Sequence, residues 1–168
     1  DIERSLLTLR LRRDFAEQKV RLSEAILAFE ETSRRLYESA GSMTVEETSN
    51  GPTFQFPMQG SRSKGIKNMQ IFCFDMMLMR ICSARKIGPG FLVHDSHLFD
   101  GVDDRQVANA LAIGKKQAEM LGFQYLVTFN SDAFERVARY RIAALGNLFV
   151  QRRAALRGDG DTHLASFC

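Results

Sequence analysis

Gly90-Phe91-Leu92-Val93-His94-Asp95-Ser96-His97-Leu98-Phe99-Asp100-Gly101-Val102-Asp103-Asp104-Arg105 is the stretch that decides how the chain is read. Pro89 and Gly90 launch an apolar run, Phe91 to Val93. A short apolar run bounded by turn residues reads as a strand buried on both faces. The run ends on an acid, Asp95, and Asp100, Asp103 and Asp104 follow in one loop. Open parallel sheets bind ligands beyond the carboxyl ends of their strands. An acid at that edge, followed by an acidic loop, suggests a magnesium and phosphate site. The plainer alternative is a strand end with a solvated acidic turn. The strand pattern alone does not separate the two, because short motifs often match by chance.

Downstream, Asp103 and Gln106 suit a capping box for a helix to about Leu121, which Gly122 would end. Gln124 to Phe129 is a second β-branched and aromatic run, followed by a polar loop, Asn130-Ser131-Asp132. Another helix, carrying Phe134 and Val137, would start there. Strand, helix, strand, helix at this spacing predicts a parallel sheet with right-handed crossovers. Asp95 and the Asn130–Asp132 loop should then share one sheet edge, on adjacent strands. Arg136, Arg139, Arg141, Arg152, Arg153 and Arg157 make the tail basic. Such a charge run reads first as a solvated face. Leu156 to Asp161 is expected to turn, and His163 to Phe167 to form a short last strand.

Upstream, Gln59-Gly60-Ser61-Arg62-Ser63-Lys64-Gly65 is a small polar loop that feeds an apolar helix from about Ile66 to Ala84. Met69, Ile71, Phe72, Phe74, Met76, Met77, Leu78 and Met79 cover nearly all of its faces, which predicts burial. A Ser/Gly loop at a helix N-terminus presents free backbone N–H groups and a positive dipole end, and so can hold a phosphate. Lys64 adds charge. Plain capping by Ser61 or Ser63 is the alternative. Asp75, inside the apolar helix, should pair with a buried Arg or a backbone donor. Further back, Met43, Val45 and Glu47 alternate, Asn50-Gly51 marks a turn, Phe54 and Phe56 resume the alternation, and Pro57 closes a β-hairpin. Asp1 to about Ala40 contains no Gly or Pro and predicts one long helix stopped by Gly41. Its two apolar stripes, Ile2-Leu6-Leu9 and Leu22-Ile26-Phe29-Leu36, fall out of phase between Val20 and Leu22. Such a break suits the end of a coiled coil entering a globular body. An ordinary amphipathic helix packed on its own domain fits nearly as well.

The chain has 168 residues, enough for a real core, and begins with Asp1, which suggests a fragment or a processed piece. A net charge of +3 permits a nucleic-acid partner without arguing for one. Cys73, Cys82 and Cys168 fit neither a disulfide framework nor a zinc pattern, so a reducing cytoplasm is the expected setting. No apolar run approaches membrane-spanning length, no signal peptide is visible, and there is no internal repeat.

Three pieces thus stand in order: a Ser-x-Gly loop opening a buried helix, an apolar strand ending in Asp, and a second strand ending in a polar loop. That order resembles the C-terminal lobe of ABC-type ATPase heads of the Rad50, SMC and RecN kind. Ser63-Lys64-Gly65 looks like the core of the signature motif, Phe91 to Asp95 like the Walker B strand, and Leu98 to Asp103 like the D-loop. Asn130-Ser131-Asp132 sits where a switch-histidine loop would be. More closely, Gly65-Ile66-Lys67-Asn68-Met69-Gln70-Ile71-Phe72-Cys73-Phe74-Asp75 and His94 to Asp103 resemble the uncharacterised YydD-like domain-of-unknown-function family. Larger members of that family carry an N-terminal P-loop and a coiled coil. The resemblance spans roughly Met43 to Asp132.

The resemblance implies an α/β fold: the parallel-sheet C-terminal lobe (42–168) of an ABC-type ATPase head, with a β-hairpin, after a helical arm (1–41) that ends a coiled coil. It implies ATP and Mg²⁺ as cofactors, an N-terminal P-loop lobe of the same protein as partner, and a homodimer closed through ATP. DNA, in repair or defence, is a possible further partner. Ser63, Lys64 and Gly65 would touch the γ-phosphate held by the opposite protomer. Asp95 would hold Mg²⁺ through water, and Asp103 would reach across the dimer. Departures accompany the match. The chain has no Gly-x-x-x-x-Gly-Lys-Ser/Thr. Ser96 stands in place of the usual glutamate, and Ser131 or Asn130 in place of the switch histidine. Arg62, Lys64 and Ile66 replace the usual Leu, Gly and Gln/Glu. Water positioning would fall to His97 or Asp100, or to no residue. The rival readings are a non-hydrolysing, nucleotide-gated scaffold and a magnesium phosphoesterase built on Asp95, Asp100 and Asp103.

Overall fold

A residue run rich in Leu, Arg and Glu opens the chain, and it forms two helices where one was expected. In the computed structural model, which describes residues 2–37, 41–48, 50–57, 63–141, 149–153 and 162–167, α1 is Ile2–Glu17 and α2 is Lys19–Leu36. The helices part at Gln18 (φ −98°, ψ 7°), just ahead of the point where the two apolar stripes lose phase. One straight helix cannot aim both stripes the same way. α1 buries none of its residues, whereas α2 buries Ala25, Ala28, Phe29, Thr32, Ser33 and Leu36, which recur at helical spacing. Helix α2 ends at Tyr37 in extended backbone, earlier than Gly41; the Gly41 N–H is held instead by the Ser33 hydroxyl at 2.8 Å.

Strands β1 (Thr44–Thr48) and β2 (Gly51–Gln55) form the expected antiparallel hairpin, paired from Thr44↔Gln55 to Thr48↔Gly51. Gly51 sits at φ +112°, a conformation that glycine adopts without strain, and so it can begin β2 directly after the turn. Phe56 lies against Phe29 of α2 with ring centroids 5.4 Å apart, and Arg12 of α1 pairs with Glu47 at 3.2 Å. The chain divides into two compact units, Asp1–Gln59 and Gly60–Cys168. The hairpin therefore groups with the helices before it, where the sequence had suggested a division at 41/42.

The second unit is a mixed α/β body. Helix α3 (Lys64–Arg85) buries Met69, Phe72, Cys73, Met76 and Met77 but leaves Ile71 and Leu78 exposed, so one of its faces is open. Lys86, in the left-handed region, closes it. Strand β3 (Phe91–His94) leads into a 3-10 turn, Ser96–Phe99, and then α4 (Asp104–Leu121), which ends at Gly122 in the left-handed conformation. Strand β4 (Gln124–Asn130) follows, then α5 (Ser131–Arg141), β5 (Phe149–Arg153) and β6 (Thr162–Phe167).

The four strands of this unit lie in the order β3-β4-β6-β5. β3 and β4 are parallel, from Phe91↔Gln124 to His94↔Val127. β6 runs antiparallel to both β4 and β5. Strand β6 coincides with the expected last strand; β5 was hidden in the basic tail, and the turn expected at 156–161 lies outside the described residues. The apolar run at 91–93 is not buried on both faces. Phe91 is 48% and Val93 51% exposed; they share a face with Gln124 and Leu126 of β4, and that face is the less covered one. Central β4 shows the alternation of a strand with one covered face: Tyr125, Val127 and Phe129 are buried, Leu126 and Thr128 half-buried. Beneath it, Gly114 of α4 leaves room for Tyr125; a methyl there would lie 2.3 Å from the ring.

Candidate functional site

The β3–β4 register fixes the first contact of the site. His94 lies opposite Val127, so the next residues, Asp95 and Thr128, meet at the carboxyl end of the parallel pair. The Thr128 hydroxyl donates to Asp95 Oδ2 at 3.1 Å and accepts from the Ser96 N–H at 3.3 Å. Asp95 Oδ1 accepts from the His97 N–H at 3.0 Å, and the Ser96 hydroxyl stands 3.5 Å away. The His97 N–H chiefly holds the Asp95 carboxyl below the usual aspartate range; desolvation opposes it, and the Thr128 hydroxyl adds a smaller pull in the same direction as His97. Asp95 is thus an exposed, fixed anion at neutral pH. One such carboxylate suits a Mg²⁺ held through water, since Mg²⁺ keeps much of its hydration shell.

The start of α3 lies against the loop that follows. Ser63 is the N-cap residue, exposed and in extended backbone, and its side chain makes no capping hydrogen bond. The capping alternative for Ser63 therefore fails; Ser61, the other capping candidate, lies outside the described residues. Lys64 Nζ is 3.1 Å from Asp100 Oδ2, and His97 Nδ1 is 3.2 Å from the same oxygen. His97, followed by Lys64, keeps the Asp100 carboxyl below the ordinary value. Gly65 packs on the backbone of Gly101 so closely that a Cβ at 65 would lie 2.2 Å from the Gly101 carbonyl oxygen. Gly65 is buried, so its part here is close packing, whatever its neighbours bind.

The remaining acids do not converge. Asp103 caps α4, accepting from the Arg105 N–H at 3.0 Å and the Gln106 N–H at 3.4 Å. Asp104 faces Arg136 at 3.5 Å. Among the described residues there is no group of three or more His, Cys, Asp or Glu side chains placed to hold a metal. The meeting of Asp95, Asp100 and Asp103 that a two-metal phosphoesterase needs is therefore not formed.

The expected loop 130–132 is not a loop either. Strand β4 runs to Asn130, and α5 starts at Ser131 without a gap. Asn130 nevertheless shares an open cleft of about 160 Å³ with Ser96, Asp100, Asp104 and Arg136. So Asp95 and Asn130 end adjacent parallel strands on one edge, as the sequence predicts.

A buried polar chain lies behind this edge. His94, 4% exposed, sits between Tyr125 Oη, 2.9 Å from Nδ1, and Asp75 Oδ2, 3.2 Å from Nε2. Asp75 therefore meets a histidine, not the arginine or backbone donor expected. Burial, and then the Asp75 charge, push the Tyr125 hydroxyl well above its ordinary value, so Tyr125 stays protonated. The Tyr125 hydroxyl and the Asp75 carboxylate thus occupy the two ring nitrogens of His94. Burial also pushes the Cys73 thiol up to about 12, which removes it as a nucleophile.

The family model described as "Uncharacterised protein conserved in bacteria (DUF2326)" matches residues 32–164. The chain belongs to the DUF2326 family. No curated protein and no solved structure matches it. The DUF2326 match contains every residue of the edge just described, from Ser63 to Arg136. Within it, sequence reading missed Thr128, the His94–Tyr125 pair, and Asn68, whose side-chain amide donates to the His97 and Asp100 carbonyls. Thr128 could be found only through the β3–β4 register. His94 carried a signal of its own, as a polar residue closing an apolar strand run, but its partners lie 19 and 31 residues away. No helix of the described residues is long and apolar enough to cross a membrane.

Proposed function

We propose that this DUF2326 chain is the C-terminal half of a Rad50/SMC-like nucleotide-binding head, contributing signature-like, Walker B-like and D-loop-like elements to an ATP-sandwich dimer. The observation that carries the reading is the juxtaposition at one end of the second unit. An uncapped, exposed Ser63 opens α3, and α3 is fastened to the loop that leaves Asp95 at the carboxyl end of a parallel strand. The triphosphate cradle, with its lysine, would come from an N-terminal P-loop lobe of the same protein. Ser63 and the N-terminal end of α3 would face a γ-phosphate held by the opposite protomer. Lys64 lends its charge less fully, because Asp100 already partners it.

Asp95 would hold Mg²⁺ through water, with Thr128 and the His97 N–H fixing its carboxylate. Mg²⁺ would supply charge neutralisation at the phosphates. His97 is the residue of this edge best placed to orient water. Its ring is exposed, and Asp100 binds Nδ1, which turns Nε2 away. Asp103 would face the partner from the N-terminus of α4. Ser96 in place of a glutamate favours slow turnover, and a nucleotide-gated scaffold is the limiting case of the same reading. DNA, in repair or defence, is the further partner that the resemblance suggests.

Ser63→Arg tests the assignment. Ser63 is exposed and caps nothing, so the change should shift stability by no more than about 0.5 kcal/mol in thermal melts. In the protein carrying its P-loop lobe, the same change should abolish ATP-dependent dimerisation in sizing experiments. Dimerisation that survives Ser63→Arg removes the signature assignment.

A further inference from the structure

Asn68 lies in the second turn of α3, one helical turn beyond Lys64 and so on the same face. Its side-chain amide donates to two backbone carbonyls of the loop after β3: His97 O at 3.1 Å and Asp100 O at 3.1 Å. Both hydrogens of one NH₂ group are used. Around it, Lys64 reaches the Asp100 carboxylate, and Gly65 presses on the Gly101 backbone. Residue 97 is a shared node, since its carbonyl is held by Asn68 while its N–H holds Asp95. Asp100 is a second node. Its carbonyl is held by Asn68, and its N–H bonds to His97 O at 3.3 Å.

We infer that Asn68 is a positioning residue that locks the start of α3 to the 96–103 loop, so that Ser63 and Asp95 move as one body. The chemistry requires an amide at this position. A carboxylate of the same shape would turn two acceptors toward two carbonyl oxygens, and an apolar side chain would leave both carbonyls without this donor. What the lock serves rests on the nucleotide-head reading, but the lock itself does not. Under that reading, a γ-phosphate bound at Ser63 is felt at Asp95 and His97 through Asn68, without a displacement of the core.

The test is amide hydrogen exchange on this chain with Asn68→Asp, or with Asn68→Ala should the charged variant fail to fold. Loss of the two hydrogen bonds should speed exchange at Asp100 and Val102 by at least about tenfold. Exchange in β4 and the C-terminal half of α3 should be unchanged. Asn68→Gln keeps the NH₂ group and should return exchange toward the original rate. In the protein with its P-loop lobe, Asn68→Asp should lower MgATP turnover about tenfold while KM stays within about twofold. Unaltered exchange at Asp100 and Val102 overturns the proposal, and so does an equal acceleration through α3, β3 and β4, which would mark Asn68 as ordinary packing. Absence of ATP-dependent dimerisation in the unsubstituted protein would instead remove the nucleotide-head reading and leave the exchange result to judge the lock.

Discussion

Asp95 shows how a single residue is prepared for chemistry by its neighbours' backbone and hydroxyl groups. A carboxylate that accepts hydrogen bonds is stabilised in its charged form, so its folded pKa falls below its unfolded one. The sign of the linkage follows. The stabilisation is fully present above the unfolded value and is lost as pH falls through the folded value. Asp100 behaves the same way, with His97 and Lys64 as its partners. Thr128→Val removes one donor from Asp95 and leaves the larger contribution, the His97 N–H, in place. The Asp95 pKa should then move up toward the ordinary aspartate range, as read by carboxyl-carbon NMR titration, while that of Asp100 stays where it is. An unmoved Asp95 would mean that the hydroxyl bond does not form in solution.

At the scale of elements, the decisive contact is the start of α3 against the loop after β3, and Gly65 sets its distance. A Cβ there would meet a backbone carbonyl oxygen, which cannot swing aside as a side chain would. Gly65→Ala should therefore destabilise the chain by about 1–3 kcal/mol in denaturant melts, although alanine favours a helix over glycine by up to about 1 kcal/mol. A net stabilisation would show that the two elements are further apart than described. The sequence made the elements themselves legible, because their signals are local. Asp103 and Gly122 bracket α4, Asn50-Gly51 turns the hairpin, and the methionines and Phe72 mark α3. What it did not reveal was pairing between distant segments. The exposure of Phe91 and Val93 depends on what covers their face of the sheet, and no local pattern carries that. The partners of His94 and Asn68 were hidden for the same reason. The break at Gln18 shows the converse: good helix formers do not carry one straight helix through a point where its apolar stripe changes phase.

For the molecule as a whole, the question is how much of a nucleotide site these residues make alone. Micromolar binding corresponds to about 8.2 kcal/mol. A helix N-terminus contributes about 0.3–1 kcal/mol toward an anion near the surface. Ser63 can add one hydroxyl bond, worth about 0.5–1.5 kcal/mol net. The Lys64 charge is shared with Asp100, and Asp95 repels a phosphate unless a cation stands between them. These contributions fall several kcal/mol short. The sequence contains no Gly-x-x-x-x-Gly-Lys-Ser/Thr loop to make up the difference. This chain alone should therefore show no micromolar binding of ATP in calorimetry, with or without Mg²⁺, and no turnover above background. A micromolar Kd for the isolated chain would mean that the phosphates are held by residues of these two units, and the division of the site between two lobes and two protomers would have to be abandoned.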